Sequence, residues 1–112
     1  MRILTVAAAV SIAIFGWTVG VSSQSDRTVY GAGTSSCAEW TEARQGERWF
    51  GTGQWVLGFV SAVNQYSKET PTQTDARSMA SRVDAYCRAH PEDDISDAAR
   101  ELVEYLLSGG QL

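Results

Sequence analysis

Few residues in this chain carry the chemistry of catalysis. It has one histidine, His90, and two cysteines, Cys37 and Cys87. Serines are plentiful, but no GxSxG turn presents one as a nucleophile, and one imidazole would have to serve the whole chain as base. His90 stands between Ala89 and Pro91 at what reads as a helix end. An imidazole there serves the helix dipole more readily than it abstracts protons. A small serine hydrolase is therefore the reading these residues oppose. The Gly31–Gly33 segment leads towards a helix but lacks the lysine and spacing of a phosphate-cradling loop. The acidic run Glu92, Asp93, Asp94 and Asp97 lacks the alternating ligands and distal glutamate of an EF-hand. It reads instead as a charged first helical turn, where carboxylates complement the dipole. One histidine and two cysteines are also too few for a transition-metal site. With Lys+Arg 9 against Asp+Glu 13, a net charge of −4 and a pI near 4.8, clustered cations for nucleic acid are missing. No catalytic residue, cofactor, metal or nucleic-acid partner is expected, which leaves binding to other proteins.

The chain has 112 residues, enough for one domain, and 44% hydrophobic residues, too many for a disordered chain. Its start is not expected to belong to that domain. Met1 and Arg2 precede an apolar run from Ile3 to Trp17, followed by a small-residue exit through Gly20, Val21, Ser22 and Ser23. This is the pattern of a signal peptide over 1–23, with Val21 and Ser23 at the cleavage positions. The alternative is an uncleaved anchor, since the run approaches the ~18–20 residues of a spanning helix. Gly16, Trp17, Thr18 and Gly20 interrupt it, however, and no basic cluster follows. Either way the remainder is expected to be exported, to the periplasm or beyond, with no membrane contact once the leader is cleaved.

Export gives the cysteines a meaning. In an oxidising compartment two cysteines usually join, and here only Cys37 with Cys87 is available. A reactive or metal-binding thiol pair is the rival reading, but there is no CxxC. Closing so long a loop is worth roughly 4 kcal/mol in the chain-entropy model.

The elements that hold these residues follow from spacing. Residues 24–34 are polar and contain glycine, and read as a flexible arm. Ser36 and Glu39 have capping-box spacing, so a helix should start there and carry Cys37 and Trp40 on one face before Gly46. Over 47–66, Trp55, Val56, Phe59, Val60, Val63 and Tyr66 recur at helical intervals, widened by Leu57 and Ala62. The Val/Phe-rich run 55–63 could also form a buried strand, but its length and the spacing of Ser61, Asn64 and Gln65 favour a helix. Gly58 within it suggests the close approach of another helix. Residues 67–74, with Pro71, form a linker. A third helix starts near Thr74 or Asp75, with apolar residues Ala76, Met79, Ala80, Val83, Tyr86 and Cys87. Arg77, Ser81, Arg82, Asp84 and Arg88 lie mostly opposite, and Pro91 ends the helix. A fourth is capped by Asp94, favoured by Asp97, and striped by Ile95, Ala98, Ala99, Leu102, Val103 and Leu106. Gly109 and Gly110 terminate it. The expectation is an all-α, small four-helix, orthogonal or bundle-like domain over 35–112 with one disulfide. Trp49 and Phe50, in the Gly-flanked stretch Gly46–Gly53, either tuck into the core or form an aromatic patch for a partner.

Ser36-Cys37-Ala38-Glu39-Trp40, Trp55-Val56-Leu57-Gly58-Phe59-Val60 and Val83-Asp84-Ala85-Tyr86-Cys87, in a small exported acidic chain, resemble the HdeA/HdeB-type periplasmic acid-stress chaperones. The resemblance implies a protein that is compact at neutral pH, loosens in acid and exposes apolar surface to clients. The central helix, with Ala89-His90-Pro91-Glu92 and Ala98-Ala99-Arg100-Glu101-Leu102-Val103, is also similar to Tai-type immunity proteins, which implies one cognate effector as partner. The chaperone likeness and the apolar surplus of the central helix are both compatible with a homodimer.

Overall fold

The computed structural model describes residues 28–110. The signal peptide expected at 1–23 lies outside the described residues, as does the arm up to residue 27. The described residues form a 3-10 turn, Gly31–Thr34, and four helices: α1 Cys37–Ala43, α2 Phe50–Tyr66, α3 Ala76–Ala89 and α4 Ile95–Leu107. Among them the only bridge of strand type is an isolated one between Ser36 and Asp94. None of these helices is long and apolar enough to cross a membrane.

Local capping sets the helix starts. The Glu39 N–H donates to Ser36 Oγ at 3.1 Å, and the Ser36 N–H donates to Glu39 Oε2 at 2.9 Å, which completes the expected capping box of α1. The Ser78 N–H donates to Asp75 Oδ1 at 2.7 Å at the start of α3. The Asp94 N–H donates to Asp97 Oδ2 at 3.0 Å at the start of α4. The segments leading into α1 and α4 also accept from the first amides of the opposite helix, which have no partner inside their own helices. The Cys37 N–H donates to the Asp93 carbonyl at 2.7 Å and the Ala38 N–H to the Pro91 carbonyl at 3.1 Å. The Ile95 N–H returns to the Ser35 carbonyl at 2.9 Å. Beside this junction the Cys37–Cys87 disulfide ties α1 to the last turn of α3, with Cα atoms 4.7 Å apart.

The core draws on all four helices: Cys37 and Trp40 from α1, Val56 and Val60 from α2, Ala80, Val83 and Cys87 from α3, and Ile95, Ala98, Leu102 and Leu106 from α4. α4 is the centre, packed against α3, α2 and the 3-10 turn.

Three expectations are corrected by packing. The arm over 24–34 is not loose at its end. Residues 31–34 wind into the 3-10 turn on α2, and the Trp55 indole N–H donates to the Tyr30 carbonyl at 2.8 Å. Gly33 is needed there, because a Cβ would fall 2.3 Å from Trp55 Cζ2. Gly58 is not a contact point: a Cβ on it would meet nothing within 4 Å. The broad stripe of α2 is only partly used. Val56 and Val60 are buried, Trp55, Leu57, Phe59 and Val63 are half-buried, and Tyr66 is 89% exposed. Between Phe50 and Tyr66 there is no charged residue, so α2 is uncharged all round and only a narrow line of it meets the core.

Candidate functional site

α2 and α3 touch over only a short length, and beside that contact lies an apolar groove of about 140 Å³. Trp40 from α1, Trp49 and Phe50 at the start of α2, Val56 on α2, and Met79 and Val83 on α3 form its walls. Gln54 supplies its one side-chain amide.

The two residues expected as a partner patch come together here. Trp49 and Phe50 stack with ring centroids 4.6 Å apart. Trp49 also meets Trp40 edge-to-face at 5.9 Å. Trp49 is half-buried against the core and Phe50 is 54% exposed. The pair is therefore divided between the two readings the sequence left open. Trp49 tucks in and Phe50 faces solvent. Gly53 lets the ring settle on α2, since a Cβ there would stand 3.1 Å from Trp49.

A polar chain backs this aromatic wall. The Arg44 guanidinium lies 4.4 Å from the Trp49 ring centroid and 5.8 Å from that of Trp40. Its Nε and Nη2 donate to the two oxygens of Asp84, both at 3.0 Å. The Trp40 indole N–H donates to Asp84 Oδ1 at 2.8 Å. The hydrogen bond to Asp84 raises the Arg44 pKa above its ordinary value, so the guanidinium stays charged.

Sequence reasoning missed Asp84 and Arg44 as site residues. The spacing places Asp84 on the polar side of α3 and singles out nothing about Arg44. Two signals were present: Arg44 follows Trp40 by four positions, and Asp84 adjoins the buried Val83 at the edge of the apolar stripe. Arg82, placed on the same polar side, also turns inward. It pairs with Glu101 of α4 at 2.5 Å and lies 3.9 Å from the Tyr105 ring centroid.

Three further titratable residues, Tyr86, Asp93 and Asp97, have structural partners. The Tyr86 hydroxyl donates to Asp93 Oδ2 at 2.5 Å. Burial first, and then this hydrogen bond, push the Tyr86 pKa up. The His90 ring lies tilted against Tyr86 with centroids 4.5 Å apart and is exposed, with Nδ1 4.0 Å from Asp93 Oδ2. Of the acidic run, Asp93 serves Tyr86, while Asp97 serves the α4 cap and pairs with Arg100. Among the described residues no group of three His, Cys, Asp or Glu side chains is placed to hold a metal ion. The arrangement offers a preformed uncharged slot with an aromatic wall, suited to van der Waals contact.

No family model, no curated protein and no solved structure matches the chain.

Proposed function

We propose that this is an exported, non-enzymatic protein that acts by binding other polypeptides, in the manner of the HdeA-type periplasmic acid-stress chaperones. The groove beside the uncharged helix α2, with Phe50 exposed at its mouth, carries this reading. Exposed aromatic and aliphatic surface around a preformed slot is the chemistry of a protein-binding site.

Acid sensitivity has a physical basis at the groove's edge. Hydrogen bonds from Ser78, first of all its backbone N–H, hold the Asp75 carboxyl below the usual carboxylate range. A carboxyl with a lowered folded-state pKa stabilises the fold above its ordinary value of 3.8, and that contribution is lost as pH falls through the lower folded value. α3, which Asp75 caps, supplies Met79 and Val83 to the groove. Protonation of Asp75 would therefore weaken the start of the helix that supplies one wall of the groove.

The test is aggregation of acid-denatured periplasmic proteins at about pH 2–3, with and without this protein, in the range where carboxylates protonate. Suppressed aggregation is expected; absence of protection removes the chaperone reading.

One observation favours a second reading, a periplasmic immunity or inhibitor protein with one cognate effector. The groove is already formed and its wall already positioned in the folded chain, as a single fixed partner requires. Stoichiometric capture of one protein at neutral pH would select this reading. Recovery of many proteins in acid only would select the first.

A further inference from the structure

The aromatic wall of the groove is held in place by charges that lie outside the core cluster. Trp49 begins α2 and makes no side-chain capping bond to it. Its ring is placed instead by neighbours: Phe50 stacked on it, Trp40 at its edge, and the Arg44 guanidinium 4.4 Å from its centroid. Arg44 in turn has its orientation fixed by two hydrogen bonds to Asp84, its Nε and Nη2 each donating at 3.0 Å. Asp84 belongs to α3 and also accepts from the Trp40 indole at 2.8 Å. One carboxylate thus links two groups to α3, the Trp40 indole of α1 and the Arg44 guanidinium at the end of α1.

We propose that the Asp84–Arg44 pair is a positioning device for the groove. Asp84 fixes the guanidinium, and the guanidinium fixes the Trp49 ring as the wall against which one bulky, uncharged side chain of a partner polypeptide seats. The class of side chain follows from the lining. The Trp40 indole N–H is already committed to Asp84, and Gln54 is the one amide, so an entering charge would find no counter-charge on the groove walls. This inference rests on the protein-binding role proposed above.

A second pair provides the control. Arg82 and Glu101 join α3 to α4 with the same forked geometry, and neither lines the groove. The purified protein is labelled with 5-fluorotryptophan, and the Trp49 resonance is assigned by its loss in Trp49→Phe. The neutral fluorophore N-phenyl-1-naphthylamine serves as probe of the groove. In Asp84→Asn, which keeps an oxygen for Trp40 but loses the charge, the Trp49 resonance should shift and broaden. Probe Kd should rise about tenfold, as at a disrupted hot spot. Glu101→Gln should leave both readouts at their wild-type values, whatever it does to Tm. Arg44→Lys, which keeps the charge but not the fork, should behave like Asp84→Asn.

An unmoved Trp49 resonance in Asp84→Asn overturns the positioning role, whether or not the probe binds. Equal loss of probe binding in Glu101→Gln also overturns it, by showing a general effect of stability. Failure of the wild-type protein to bind the probe, with the Trp49 shift intact, overturns the docking groove and leaves the pair structural.

Discussion

Removing the Cys37–Cys87 bond should cost this protein a large share of its stability without erasing its helices. The bond closes a loop between positions 50 apart. Constraining a loop of that length in the unfolded chain stabilises the fold by about 4 kcal/mol. For a domain of this size each kcal/mol moves Tm by about 4–8 °C, so the expected fall is about 15–30 °C. Packing decides that the reduced chain still folds. Trp40 remains 2% exposed with its indole bonded to Asp84, Arg44 keeps its fork on Asp84, and the Cys37 and Ala38 amides keep the Asp93 and Pro91 carbonyls. α1 is therefore held to α3 and to the 90–94 connection by bonds that reduction does not touch. The assay is a circular-dichroism melt of the oxidised protein, of the protein in excess phosphine reductant, and of the Cys37→Ala/Cys87→Ala double variant. The double variant also leaves a small void, so it should melt no higher than the reduced form. A shift below about 5 °C would contradict the loop-entropy argument, given the conversion above. Two titratable thiols in the native protein would refute the bond itself.

Leu102 is 1% exposed at the centre of α4, and Leu102→Ala should lower unfolding free energy by about 2–5 kcal/mol in a urea titration. Two glycines should respond in opposite directions to alanine. Gly33→Ala forces a Cβ into Trp55 and should free the 3-10 turn, seen as a red-shifted, more quenchable Trp55 emission. Gly58→Ala enters open space in mid-helix and should raise stability by about 0.5–1 kcal/mol. For Asp75→Ala, the difference in Tm from wild type should be present at neutral pH, shrink as pH falls below the ordinary carboxylate value of 3.8, and vanish only below the lowered folded-state value, where the carboxyl is protonated in both states. A difference that persists unchanged into strong acid would show that its charge is not responsible.

Much of the local structure was legible in the residue order. Ser36 with Glu39, Asp75 before its helix and Asp94 with Asp97 announced three helix starts, since a cap is settled by residues three apart. Pro91 and the paired glycines Gly109 and Gly110 marked where α3 and α4 stop. The start of α2 was less legible. Trp49 offers no side-chain acceptor, and the helix begins at Phe50 rather than within the earlier part of the 47–66 stretch. The candidate site was half legible. The aromatic pair Trp49–Phe50 stood out by type and flanking glycines, but its backing by Arg44 and Asp84 did not.

By itself, then, the sequence determined an all-helical domain and the one cysteine pairing open to it, because caps, helical periodicity and the count of sulfurs are local or combinatorial facts. Tertiary structure alone decided which side of α2 is buried. α2 carries no charge around its circumference and its apolar stripe is broad, so the pattern alone does not say which part of the stripe is buried and the neighbours decide it. It also decided that Asp84, nominally on a polar face, binds Trp40 and Arg44 from 44 and 40 positions away. A carboxylate at the edge of a stripe can face water or another helix, and the spacing along its own helix does not distinguish them. The groove exists because α2 and α3, adjacent in sequence, are each drawn to α4 more than to one another.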